Sequence, residues 1–263
     1  MRFCPLFSGS SGNALFLRQG NTALLVDAGL AGSTVAGALR AIGEDPAALS
    51  GILVTHEHID HVRGVGVLAR RLKVPVYANE GTWQGMLQHT GPIPPDQIRM
   101  FETGREFYIG SIAVHPFKTP HDANESVGFA FRTEDGKKLS ILTDVGHMHD
   151  GLFDAVSGSD LILIESNHDV EMLKVGPYPY PLKRRILGDE GHLSNDACGA
   201  ALARLYRRGV KQAVLGHLSK ENNLGSIALE TVRACLRAED IPDGDFALSL
   251  AYRDRAGDIY ELE

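Results

Sequence analysis

Cysteine is scarce in this chain. Cys4, Cys198 and Cys235 are three residues in 263, an odd number with no Cys-x-x-Cys spacing. That excludes a disulfide-built scaffold and a zinc knuckle, and free thiols of this kind fit a reducing cytoplasm. Long apolar runs are also missing. None approaches the roughly 18 residues needed to span a bilayer, and Met1-Arg2-Phe3-Cys4-Pro5 does not read as a secretory signal, so no membrane is expected as a partner. Positive charge is not in excess: the net charge is −7. This argues against a broadly basic nucleic-acid coat, yet leaves room for a phosphate-binding cleft around bound dications. No low-complexity tract, short repeat or domain boundary is visible, so residues 1–263 are expected to form one domain.

What the chain does have is histidine in the wrong places for packing. His56-Glu57-His58-Ile59-Asp60-His61 directly follows the apolar run Gly51-Ile52-Leu53-Val54-Thr55. Three imidazoles and a carboxylate at the end of a buried strand are costly unless something binds them. The spacing suits two neighbouring metals, with His56 and His58 converging on one ion while Asp60 and His61 turn toward a second. Zn, Mn and Fe all accept these ligands.

Elsewhere strands and helices interleave. Leu6–Leu17 reads as strand, polar turn, strand, and its small residues leave backbone N–H groups able to meet an anion; an ordinary hairpin loop reads equally well. Thr22–Gly29 is a buried strand ending in Asp27, expected to support the metal loop by hydrogen bonding. Ser33 is expected to cap a helix to about Ile42, with another helix over about 62–73. Residues 166–193 read as irregular and rich in Pro and Gly, an unusual length for a loop without function. Ser194 caps a helix to about Arg208, and 246–253 with 259–262 read as a closing hairpin. Two strand-rich blocks with helices between them imply two helix-covered sheets in an α+β fold.

Further metal-ligand types each fall just past an apolar strand: His121 and Asp122 after 112–117, Asp144 after 139–143, His217 after 213–216. Taken singly, each reads more readily as structural. Together with the hexapeptide they imply one cleft lined by strand ends.

His-x-His-x-Asp-His, then His121, Asp144 and His217 in that order, resembles the metallo-β-lactamase-fold hydrolases. The resemblance implies a four-layer αββα sandwich holding two divalent ions. His56, His58 and His121 would hold the first, Asp60, His61 and His217 the second, and Asp144 would bridge. Ser8-Gly9-Ser10-Ser11-Gly12-Asn13, His168–Leu173, Gly191-His192-Leu193-Ser194-Asn195 and Gly216–Asn223 are similar to the YycJ/WalJ group. That likeness implies a cytoplasmic, exonuclease-like phosphodiesterase acting on DNA, 5′ to 3′, with a link to repair. Glu165 and His192 are similar to the catalytic-support pair of the RNase Z branch. The 73 positions between Asp144 and His217 are too few for an inserted β-CASP domain, and no RNase Z-type Gly-Pro-basic arm is visible.

On this reading a water shared by two ions about 3.5–4 Å apart attacks the phosphodiester, and Asp60 orients it. His192, near a helix start, serves as phosphate binder or general acid, and Glu165 orients it. Ser10, Ser11, Asn13, Asn167, His168 and Lys220 are substrate-side candidates. Lys183, Arg184 and Arg185 either contact the nucleic-acid backbone or are solvated. The alternative is a glyoxalase II-like (thio)ester hydrolase with much the same ligands.

Overall fold

A computed structural model describes residues 1–263. It divides into two compact units that alternate along the chain: residues 1–118, 123–137 and 251–263 form one, residues 119–122 and 138–250 the other. No helix is long and apolar enough to cross a membrane.

The first unit opens with β1 (Arg2–Phe7), β2 (Ala14–Gln19) and β3 (Thr22–Val26), an antiparallel series, and continues in parallel through β4 (Gly51–Leu53), β5 (Val76–Ala78) and β6 (Ile98–Met100). Helices α1 (Gly32–Ala41), α2 (Ile59–Val62), α3 (Val65–Leu72) and α4 (Glu80–Thr90) join these strands. The antiparallel strands β7 (Phe107–Ile109), β8 (Ile112–Lys118) and β9 (Val127–Thr133) follow. Phe16, Leu25, Val35, Leu39, Ile52 and Leu68 belong to a core in which each is at most 1% exposed. The pattern explains this: β4 throughout and β3 after Thr22 carry no polar side chain, as strands buried on both faces require, while α1 and α3 contribute one apolar stripe each.

The second unit is a parallel ladder, β10 (Lys138–Leu142), β11 (Leu161–Glu165), β12 (Gln212–Gly216) and β13 (Ala247–Leu250). Its helices are α5 (Asp150–Val156), α6 (Val170–Val175), α7 (Tyr180–Ile186), α8 (Asn195–Tyr206) and α9 (Gly225–Ala238). Finally β14 (Tyr260–Glu261) pairs antiparallel with β1 in the first unit.

Four local expectations are corrected. Ala31, not Ser33, occupies the N-cap of α1, and no side chain caps it. The helix expected over 62–73 is two, α2 and α3, separated at Arg63 and Gly64; a side chain at position 64 would strike Leu30 O at 2.3 Å. Residues 166–193 contain α6 and α7, the first capped by Asp169, whose side chain accepts from Met172 N at 2.8 Å. The C-terminal strands are not a hairpin, because β13 pairs with β12 and β14 with β1.

Ile52 lies on β4 between β3 and β5 and is fully buried. Ile52→Ala should lower unfolding free energy by about 2–5 kcal/mol through lost burial plus the cavity left behind. Urea denaturation measures this, and a loss below about 1 kcal/mol would show that the core collapses around the gap.

Candidate metal centre

In the first unit the hexapeptide follows β4, and α2 starts inside it with His58 at the N-cap. Asp27, just past β3, organises the loop. Its backbone is left-handed at φ 61°, a conformation that costs a non-glycine residue about 1–3 kcal/mol and is held only by surrounding contacts. Those contacts are present. Thr55 N–H and Thr55 Oγ1 donate to the Asp27 carboxylate at 2.8 and 2.9 Å, and His61 Nδ1–H donates to it at 2.8 Å. With the Thr55 hydroxyl proton committed to Asp27, its oxygen accepts from His56 Nδ1–H at 3.0 Å. Both rings are thereby fixed with Nε2 as the lone-pair nitrogen.

The rings of His56, His58 and His61 cluster, with centroids 4.6 Å apart for His56 and His58 and 4.1 Å for His56 and His61. Asp60 Oδ2 lies 3.6 Å from His61 Nε2. Asn13, expected on the substrate side, is buried and braces this loop. Its N–H donates to Asp60 O at 2.8 Å, its Nδ2 to His61 Nε2 at 3.0 Å, and its Oδ1 accepts from Gly9 N at 2.9 Å. Gly29 permits the approach, since a Cβ there would sit 1.6 Å from Asp60 O. Ser10 and Ser11 are exposed on the turn before it.

The second unit gathers its own donors at the C-terminal ends of parallel strands. Asp144 follows β10 and His217 follows β12, both left-handed, at φ 56° and 53°. Glu165 ends β11. One ligand atom from each of Asp144, Glu165, His192 and His217 lies within 4.8 Å of the others. Glu165 is fully buried and its Oε1 accepts from both His192 Nδ1 and His217 Nδ1, each at 2.7 Å. Its Oε2 accepts Val145 N–H at 2.9 Å and Leu193 N–H at 3.2 Å. Burial alone would push this carboxyl up; the charge and hydrogen bonds of His192, then of His217, outweigh it and hold the pKa at about 2. Burial likewise works against the His192 cation, but Glu165 wins and raises its pKa. His121 Nδ1 faces Gly191 O at 3.2 Å, which turns Nε2 toward Asp144 Oδ1, 3.7 Å away.

Of the other candidates, Asn167 braces the scaffold. Asn167 is buried, with Nδ2 donating to His217 O at 2.9 Å and N–H to Leu193 O at 2.9 Å. His168 is buried with neither ring nitrogen hydrogen-bonded, and burial lowers its pKa to about 4. Lys220 is exposed, and Arg185 is tied to Asp122. Sequence reasoning passed over Thr55, whose hydroxyl joins Asp27 to His56; the only signal was its place between strand and motif.

These donor sets suit divalent metals. The imidazoles of His56, His121 and His217 are hydrogen-bonded through Nδ1 and so present Nε2, His61 is held the same way with its Nε2 met by Asn13 Nδ2, and the carboxylates of Asp60 and Asp144 add the negative charge that dications require.

Residues 22–218 match the family described as the beta-lactamase superfamily domain. The chain is 41% identical over 245 residues to "Exodeoxyribonuclease YycJ" of Bacillus anthracis, covering 93% of this chain and 92% of that protein. It is also 41% identical over 264 residues to "Exodeoxyribonuclease WalJ" of Streptococcus pneumoniae, covering 99% and 98%. The chain belongs to the YycJ/WalJ group of the β-lactamase superfamily. The metallo-β-lactamase-fold protein YhfI of Bacillus subtilis has the same fold at a TM-score of 0.74 and 16% identity, with 98% of each chain covered. Membership brings with it the αββα fold class expected from the sequence, built on mixed sheets with helices.

Asp27 fixes two imidazoles and touches no solvent, so Asp27→Ala should weaken metal retention about 10- to 100-fold. Competition with a chelator, followed by metal analysis, reads this out. Retention equal to wild type would remove Asp27 from the support of the metal loop.

Proposed function

We propose that this chain is a metal-dependent exodeoxyribonuclease of the cytoplasm, working 5′ to 3′ on DNA. Two divalent ions, Zn, Mn or Fe, would be held by His56, His58, Asp60, His61, His121, Asp144 and His217. Bound there, such ions supply Lewis-acid activation of water and neutralise charge developing on the phosphate. The residues of the chain do the rest. Asp60, partly exposed, orients the attacking water. His192, 17% exposed, has Nδ1 committed to Glu165, so Nε2 meets the substrate and donates the proton to the departing oxygen.

The observation that carries this reading is the Glu165–His192 pair. A partly exposed histidine whose Nδ1 is held at 2.7 Å by a buried carboxylate, which favours its cation, is suited to binding a phosphate and protonating an alkoxide, and a thioester leaving group needs neither. The two relatives, similar over nearly their full lengths, are both named exodeoxyribonucleases, which favours the phosphodiester over the glyoxalase II-like alternative. Ser10, Ser11 and Lys220, all exposed, remain the substrate-side contacts of this reading, and buried His168 remains a further candidate.

Metal-loaded protein should shorten 5′-phosphorylated, 3′-labelled DNA and leave S-lactoylglutathione intact; the reverse result selects the thioesterase. His192→Ala should lower kcat about 10²- to 10⁴-fold while bound metal stays at the wild-type level. Unchanged kcat, or loss of the metal, would strip His192 of its proposed role.

A further inference from the structure

Residues 170–188 are the part of the second unit that the site does not use, and their composition runs against the rest of the chain. Residues 174–185 hold four basic residues and no acidic one, in a protein of net charge −7, with Asp169, Glu171, Asp189 and Glu190 confined to the feet of the hairpin. They also display apolar and aromatic groups to solvent. Val175 is 84% exposed, Tyr180 73% and Leu187 49%, while only Leu173 and Ile186 of the two short helices are buried. An isolated exposed apolar residue needs no explanation, but several beside a cluster of cations on one hairpin do.

The hairpin is not a loose excursion. Asp169 N–H donates to Asn222 O at 2.9 Å and its side chain caps α6. At the other foot His192 N–H donates to Ile186 O at 3.0 Å. Lys183 Nζ reaches Lys174 O at 2.7 Å and ties the helices together. The tip reads Pro177-Tyr178-Pro179-Tyr180-Pro181, and prolines on either side of each tyrosine restrict the backbone that presents it. Both feet lie beside site residues, one following His168 and the other leading into His192.

Aromatic rings on a stiff backbone, interleaved with cations, match the chemistry of a single strand of nucleic acid, whose unpaired bases stack while phosphates meet Lys and Arg. We propose that this hairpin is a landing platform for single-stranded DNA: bases stack on Tyr178 and Tyr180, phosphates engage Lys174 and Arg184, and the strand is led toward His192. The proposal rests on the nuclease reading above and adds to it a preference for single-stranded ends. The ion pair of Lys174 with Glu171 is solvent-exposed and weak, so it yields readily to a phosphate.

The test compares wild type with Tyr178→Ala/Tyr180→Ala, Tyr178→Phe/Tyr180→Phe and Arg184→Ala on three substrates: a 30-nucleotide single strand, a blunt duplex and thymidine 5′-p-nitrophenyl phosphate. The double alanine variant should raise KM for the single strand about tenfold or more. It should change KM for the small ester less than about twofold, and the phenylalanine variant should restore wild-type behaviour because stacking needs the ring and not the hydroxyl. Arg184→Ala should raise KM for the single strand and flatten its salt dependence. Equal losses on the strand and on the small ester, or no change on the strand, would overturn the platform. Fluorescence anisotropy of a labelled single strand separates the two readings. If wild type cleaves no phosphodiester, the nuclease assignment fails, yet binding lost in the double alanine variant still supports the platform, and absence of wild-type binding overturns it.

Discussion

A single buried oxygen carries the second unit's half of the chemistry. Glu165 Oε1 accepts from His192 and from His217, and the opposite oxygen accepts two backbone N–H groups. Removing a carboxylate from water is costly, and this one is tolerated because every lone pair that matters has a donor. The same saturation fixes which nitrogen of each ring faces outward. Two imidazoles with different proposed tasks, metal ligand and proton donor, are thus oriented by one group.

Asp27 plays the equivalent part in the first unit, satisfied by a backbone N–H, a hydroxyl and an imidazole. Asp27, Asp144 and His217 also share a backbone solution, each stepping into the left-handed region within two residues of the end of a parallel-paired strand. That step turns a side chain off the strand axis within one residue. Glycine would adopt it without strain but has no donor atom, so the strain is the cost of placing a ligand at the turn.

Much of this was legible in the chain. The hexapeptide, and the habit of His121, Asp144 and His217 of following apolar runs, marked the strand ends because burial and chemistry demand opposite residue types side by side. Asp27 was readable as a support for the same reason. What escaped depends on distant partners. Asn13 looks like a turn residue in any local window, and only its meeting with Asp60 and His61 makes it a brace. The break near Gly64 comes from its close approach to Leu30, not from helix propensity. The C-terminal strands looked like a hairpin because they are adjacent in sequence, whereas parallel and long-range pairings leave no local signature. The helices α6 and α7, six and seven residues long, are too short to announce a period.

The pairing of β14 with β1 has a kinetic consequence. During translation β1 emerges before β14, so its outer edge waits for Tyr260 and Glu261 while the whole second unit is synthesised. A nascent strand left open for so long invites pairing with a neighbouring chain. Pro5 sits within it and withholds a donor from that edge, and the carbonyl of Pro5 is later taken by Gly257 N–H. The proline therefore works hardest on the ribosome, guarding an edge that the finished fold covers.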